Sequence, residues 1–123
     1  MTLIEAINRI DKLKPNNYTQ TDKVEWLSNV DGLIKTEIVD THEGGEGVVF
    51  NGYDNNTPLD TVLLVPAPYD DLYIKWLESQ IDYHNAEYGR FNNSATAFNT
   101  AYSAYQRYYN RQNMPKNQAL KFF

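Results

Sequence analysis

An all-α fold follows from three features of this 123-residue sequence. Helix-start signatures precede apolar residues at spacings of three and four. One such run continues without a slip from Ile74 to Tyr109. Only two short stretches, Val48-Val49-Phe50 and Leu63-Leu64-Val65, could extend as strands. The prediction is a single-domain helical bundle: two shorter helices within 1–41, an acidic Gly-rich loop or small hairpin over 42–68, one long helix over about 69–112, and a basic tail at 113–123. A break in the long helix near 89–94 is the alternative.

The first helix opens on Thr2-Leu3-Ile4-Glu5. The Thr2 hydroxyl can accept the Glu5 N–H while the Glu5 carboxylate reaches back to the Thr2 N–H. Leu3, Ile7, Ile10 and Leu13 form its apolar stripe, and Pro15 with Asn16-Asn17 ends it. Asp22-Lys23-Val24-Glu25 repeats the capping logic. Val24, Leu27, Val30, Ile34 and Ile38 then mark a second helix over 22–41, in which Gly32 costs about 1 kcal/mol relative to alanine.

From His42 to Asp60 the periodicity collapses into HEGGEGVVFNGYDNNTPLD, glycine-rich and without a basic residue. A connection this long without its own structure reads as a mobile loop that orders on assembly. The structured alternative is a hairpin pairing Val48-Val49-Phe50 with Leu63-Leu64-Val65.

Pro68 suits the entry to the long helix, and Asp70-Asp71 complements its positive end. Ile74, Leu77, Ile81, His84, Tyr88, Phe91, Ala95, Phe98, Tyr102, Tyr105 and Tyr109 form a heptad seam. Ser94, Ala97, Ala101, Ala104 and Tyr108 make a small-residue row beside it. Asn85, Asn92, Asn99, Gln106 and Asn113 recur at intervals of seven. A seam that keeps register across Asn92-Asn93-Ser94 argues for one continuous helix, which would outrun any core of this chain and need neighbouring subunits.

Composition removes several function classes. With no cysteine there are no disulfides, thiolate metal sites or cysteine nucleophiles, which fits a reducing cytoplasm. No window approaches a membrane span, and the N-terminus lacks the pattern of an export signal. Residues 1–41 carry 5 basic and 7 acidic groups, 42–68 carry 0 and 4, 69–91 carry 2 and 5, and 92–123 carry 4 and 0. An acidic body with a basic end suits head-to-tail association and disfavours general nucleic-acid binding.

No catalytic, cofactor or metal constellation emerges. His42 and His84 lack the acidic partners of helical metal sites, so His84 reads as a packed histidine within the seam. Asp54-Asn55-Asn56 lacks the ligand spacing of a calcium loop, and Gly44-Gly45-Glu46-Gly47 lacks the context of a nucleotide-binding turn. Glu78 with Asp82, and Asp70 with Asp71, read as solvated acids. Ser94, Thr100 and Ser103 have no base at helical spacing. The expectation is a protein that is not an enzyme.

Eight of the ten tyrosines fall between Tyr69 and Tyr109. Tyrosine and arginine together mark surfaces that become buried but must stay soluble beforehand. Tyr88, Phe91, Phe98, Tyr102, Tyr105, Arg107, Tyr109 and Arg111 are therefore the candidate oligomer or partner interface. The rival reading is a nucleic-acid-binding segment at 102–111, in which tyrosines stack bases and arginines hold phosphates.

The stretch LLVPAPYDDLYIKWLESQIDYHNAEYGRFNNSATAFNTAYSAYQRYYNRQNMPK, residues 63–116, resembles head–tail connector (adaptor) proteins of tailed bacteriophages and prophages. The shared features are the VPAPYDD entry, the Asn-Asn-Ser centre and the Tyr-Asn-Arg end. The resemblance implies a virion structural protein, assembled in the host bacterial cytoplasm. It would form a homo-oligomeric ring between portal and tail-side neck proteins, with DNA passing through without specific binding. On the same basis the loop 42–60 would meet a neighbouring ring and the basic tail an acidic surface.

Overall fold

A computed structural model describes residues 1–114 of the chain. Thr2 and Glu5 make the predicted reciprocal cap, both bonds at 3.2 Å, and open α1, Leu3–Leu13. The helix buries Leu3, Ala6, Ile7 and Ile10 but leaves Leu13 62% exposed. α2, Gln20–Glu37, begins earlier than 22. Its cap is Thr19, whose hydroxyl accepts the Asp22 N–H at 3.1 Å while Asp22 returns to the Thr19 N–H at 3.2 Å. Asp22 is thus the reaching partner of the box. α2 also ends before 41, tightening into a 3-10 turn, Val39–Thr41.

The small hairpin does not form. Val48-Val49-Phe50 has no strand partner, and residues 59–63 run beside the N-terminus instead. Leu3 N–H donates to Thr61 C=O at 3.0 Å, Ile4 N–H to Leu59 C=O at 3.0 Å, and Leu63 N–H to Met1 C=O at 2.9 Å. The loop 42–60 is pinned rather than free. Gly44 takes φ 84°, and a Cβ on Gly45 would lie 2.0 Å from the Val39 carbonyl oxygen, so only glycine closes this turn against the 3-10 turn that follows α2. Gly32, costly within α2, lies under the Phe50 ring, whose edge is 3.6 Å from where a side chain would begin, an ordinary contact that a Cβ could make.

The continuous helix over 69–112 is replaced by two. After a 3-10 turn, Tyr69–Asp71, come α3, Leu72–His84, and α4, Tyr88–Gln112. The chain reverses at 85–87, ahead of the predicted alternative break, and Asn92-Asn93-Ser94 is helical throughout. Ala86 adopts φ 58°, the left-handed conformation that usually calls for glycine or asparagine. Three bonds close the turn: Asn85 N–H to Ile81 C=O at 2.9 Å, Ala86 N–H to Tyr83 C=O at 3.0 Å, and Glu87 N–H to Asp82 C=O at 3.0 Å. Of the seam residues, Ile74, Leu77, Ile81, Phe98 and Tyr105 are buried, whereas His84 and Tyr88 flank the turn at the surface. The constant spacing therefore spans an antiparallel pair, not one long rod.

The strained Ala86 supplies a test of sign. Ala86→Gly is expected to stabilise the chain by up to about 1 kcal/mol in urea unfolding, whereas the same change inside a continuous helix would cost about that much.

α3 is the central helix. Its Leu72, Tyr73, Ile74, Leu77 and Ile81 are buried, and it touches each of the other three. Met1 N lies 3.6 Å from the Asp70 carboxylate, and Lys14 pairs with Asp82, so α1 runs parallel to α3. Trp76 Nε1 donates to Trp26 C=O at 2.8 Å and Tyr73 reaches Asp31 at 2.5 Å, so α2 runs antiparallel to it. The order is up-down-up-down. At 1.5 Å per residue α4 is about 37 Å long against about 20 Å for α3, so its C-terminal turns overhang the bundle. The predicted basic tail beyond Met114 lies outside the described residues.

Candidate functional site

Three places in the bundle carry polar chemistry. The first is Asp31, fully buried on the core-facing side of α2. Tyr53 OH and Tyr73 OH each donate to its carboxylate at 2.5 Å, and the Leu64 N–H donates at 3.1 Å. Tyr73 OH also accepts the Val65 N–H at 2.8 Å. Burial pushes the Asp31 carboxyl above its ordinary value, partly opposed by these donors. Burial, together with the charge of Asp31, raises both phenols as well. Three donors of the chain meet this one carboxylate, so Asp31 fastens the segments at 53 and 64–65 to α2 and α3.

The second is Asp82, at the α3–α4 turn. It pairs with Lys14 at the end of α1 and accepts Ser94 Oγ–H at 2.8 Å. The expected solvated pair with Glu78 is not what this residue makes. Asp82 ties α1, α3 and α4 together at the closed end of the hairpin.

The third holds the overhang of α4. His42 is buried, with Nδ1–H donating to Ile38 C=O at 2.5 Å and Nε2 2.6 Å from the Asn110 side-chain amide. Its ring meets Tyr109 edge-on at 4.7 Å, and Glu43 N–H donates to Met114 C=O at 2.9 Å. The glycine turn that follows His42 is thus part of a clamp on the end of α4.

These contacts sort the predicted interface residues. Phe98 and Tyr105 are 6% and 3% exposed and belong to the core, Phe98 against Trp76 and Tyr105 against Tyr69. Tyr102 is half-buried and donates to Glu37 at 2.7 Å, while Tyr109 lies on His42. Burial drives all three tyrosines' pKa values upward, Tyr105 to about 12. Phe91 is half-buried against Tyr83. Only Tyr88, Arg107 and Arg111 stay exposed. His84, predicted as a packed seam histidine, instead lies at the surface with its ring stacked on Trp26 at 5.1 Å.

The outward face of α4 is exposed among the described residues. Asn92, Asn93, Thr96, Asn99 and Thr100 are exposed, Ser103 is half-exposed, and no charge occurs between Arg90 and Arg107. Among the described residues no group of three or more His, Asp or Glu side chains is placed to hold a metal ion. None of the described helices is long and apolar enough to cross a membrane. No family model matches this chain, and neither a curated protein nor a solved structure matches it significantly.

Proposed function

We propose that this chain is a structural subunit that assembles head to tail into a ring, joining capsid and portal to the tail in the neck of a tailed-phage virion. One observation carries the self-association: the exposed face of α4 from Asn92 to Gln106 has no charged residue. Solvated helix faces are normally laced with Lys and Glu, whereas asparagine, threonine and serine without charge suit a face that another protein covers. The polarity of the molecule adds to it. α4 ends in exposed Arg107 and Arg111, and residues 42–68 carry four acids and no base, an uneven charge distribution that favours contacts between unlike surfaces of neighbouring copies. A heterologous contact of this kind closes into a ring when its rotation divides a full turn. Placing that ring in a phage neck rests on the connector-like features of residues 63–116.

The rival nucleic-acid reading loses support from the same geometry. Tyr102, Tyr105 and Tyr109 turn their rings into the bundle, so the arginines lack the open stacking platform that such binding uses.

Placing charge on the outward face separates assembly from folding. Thr96→Glu with Thr100→Glu is expected to change monomer stability by no more than about 1 kcal/mol, since both positions are exposed. The oligomer seen by analytical ultracentrifugation should disappear. Unchanged assembly in this variant would remove α4 from the contact.

A further inference from the structure

A groove of about 430 Å³ runs between α1 and α3, lined by Arg9, Lys12, Leu13, Asp71, Ile74 and Lys75. Its floor is apolar, from Leu13 and Ile74, and its walls carry three cations against one carboxylate. That carboxylate, Asp71, lies 3.9 Å from Lys75, and Arg9 and Lys12 add exposed positive charge to the rim. Leu13 is 62% exposed in this otherwise well-packed helix. On the other side of the sequence's charge balance, the turn after His42 offers the opposite pattern. Glu43 is exposed, and Val49, at 77%, is the most exposed of the described large apolar residues. The buried Gly45 and His42 hold this turn in a fixed shape, so docking it costs little ordering entropy.

We propose that the α1–α3 groove receives residues 43–49 of a second copy of this chain, with Val49 on Leu13 and Ile74 and Glu43 toward Arg9 and Lys12. The inference rests on the self-association reading and names a pair of surfaces that make the head-to-tail contact. Charge selects this occupant over two others. The chain's own 115–123 segment has two lysines and no acid, so the groove repels it. A nucleic-acid backbone would meet Asp71 in the groove and would leave the apolar floor uncovered.

The absence of native cysteine makes the test clean. Leu13→Cys and Val49→Cys both alter exposed side chains, so each variant should keep the wild-type circular dichroism. Mixed and mildly oxidised, the two single variants are expected to give a disulfide-linked dimer, and a chain carrying both a covalent ladder; neither single variant alone should cross-link. Charge exchange is the second arm. Lys12→Glu and Glu43→Lys should each lower the oligomer fraction at least several-fold, and the combined variant should recover it.

A ring on native mass spectrometry with neither cross-link nor charge rescue overturns the groove and leaves the self-association standing. Absence of any oligomer, alone or with portal, overturns the self-association itself. Binding of a labelled DNA duplex that Lys12→Glu abolishes, with no mixed dimer, would assign the groove to nucleic acid and also overturn the proposal.

Discussion

Asp31→Ala is expected to lower the unfolding free energy by about 3–5 kcal/mol, a loss that a chain of this size can hardly absorb. The substitution leaves Tyr53 OH, Tyr73 OH and the Leu64 N–H without their shared acceptor inside the core. It also releases the side-chain anchor that reaches both residue 53 and residue 64 from α2. Urea unfolding of the variant should show a lower midpoint with little change in slope. The effect carries a pH signature. Burial holds the Asp31 carboxyl above its unfolded value of 3.8, so the folded chain binds this proton more tightly. The contribution of Asp31 is then fully present below the unfolded value and decreases as pH rises through the folded one. The stability gap between wild type and Asp31→Ala should narrow accordingly from acid toward neutral pH. A gap that widens over that range would mean the carboxylate is stabilised, not penalised, by its surroundings.

Phe98→Ala is the second large expected effect, about 3–5 kcal/mol for removing a buried aromatic side chain. Its ring lies 5.0 Å from that of Trp76 and 5.7 Å from that of Tyr102, so the loss falls on the contact between α3 and α4. Because these partners belong to the same chain, the destabilisation should not depend on protein concentration. An interface-only Phe98 would behave differently: the dilute monomer would be as stable as wild type and only the oligomer would weaken. The two cases separate in denaturant curves measured at dilute and concentrated protein.

Much of the bundle was legible because local chemistry and packing agree there. Thr2 and Glu5 cap α1, and Leu3, Ile7 and Ile10 fill its buried stripe as their spacing requires. The reversal at 85–87 was not legible, because Ala86 occupies a left-handed position that sequence normally marks with glycine. Phase could not reveal it either. The three-residue turn at 85–87 leaves the apolar spacing of α4 in step with that of α3, and the preserved register across Asn92-Asn93-Ser94 was correct evidence for helix at that point only.

The polar nodes left fainter signals. Asp31 sits four residues after Leu27 and three before Ile34, on the stripe that faces the core, and an acid in that register announces a buried network. Its donors, Tyr53 and Tyr73, come from distant segments and have no shared motif. His42 gave no warning, since nothing in HEGGEG says that the histidine turns inward to hold Asn110 and Tyr109 while the glycines close over Val39. The aromatic seam was misassigned in part for a general reason. Tyrosine is equally at home in a core and at an interface, and only the hairpin decides that Phe98 and Tyr105 serve the first while Tyr88 remains available for the second.

The ring itself is most directly tested by native mass spectrometry of the purified chain, alone and mixed with portal, with negative-stain images of the same samples. A closed ring-sized oligomer is predicted, formed by the chain alone or on addition of portal. A stable monomer at every concentration that also ignores portal would contradict it.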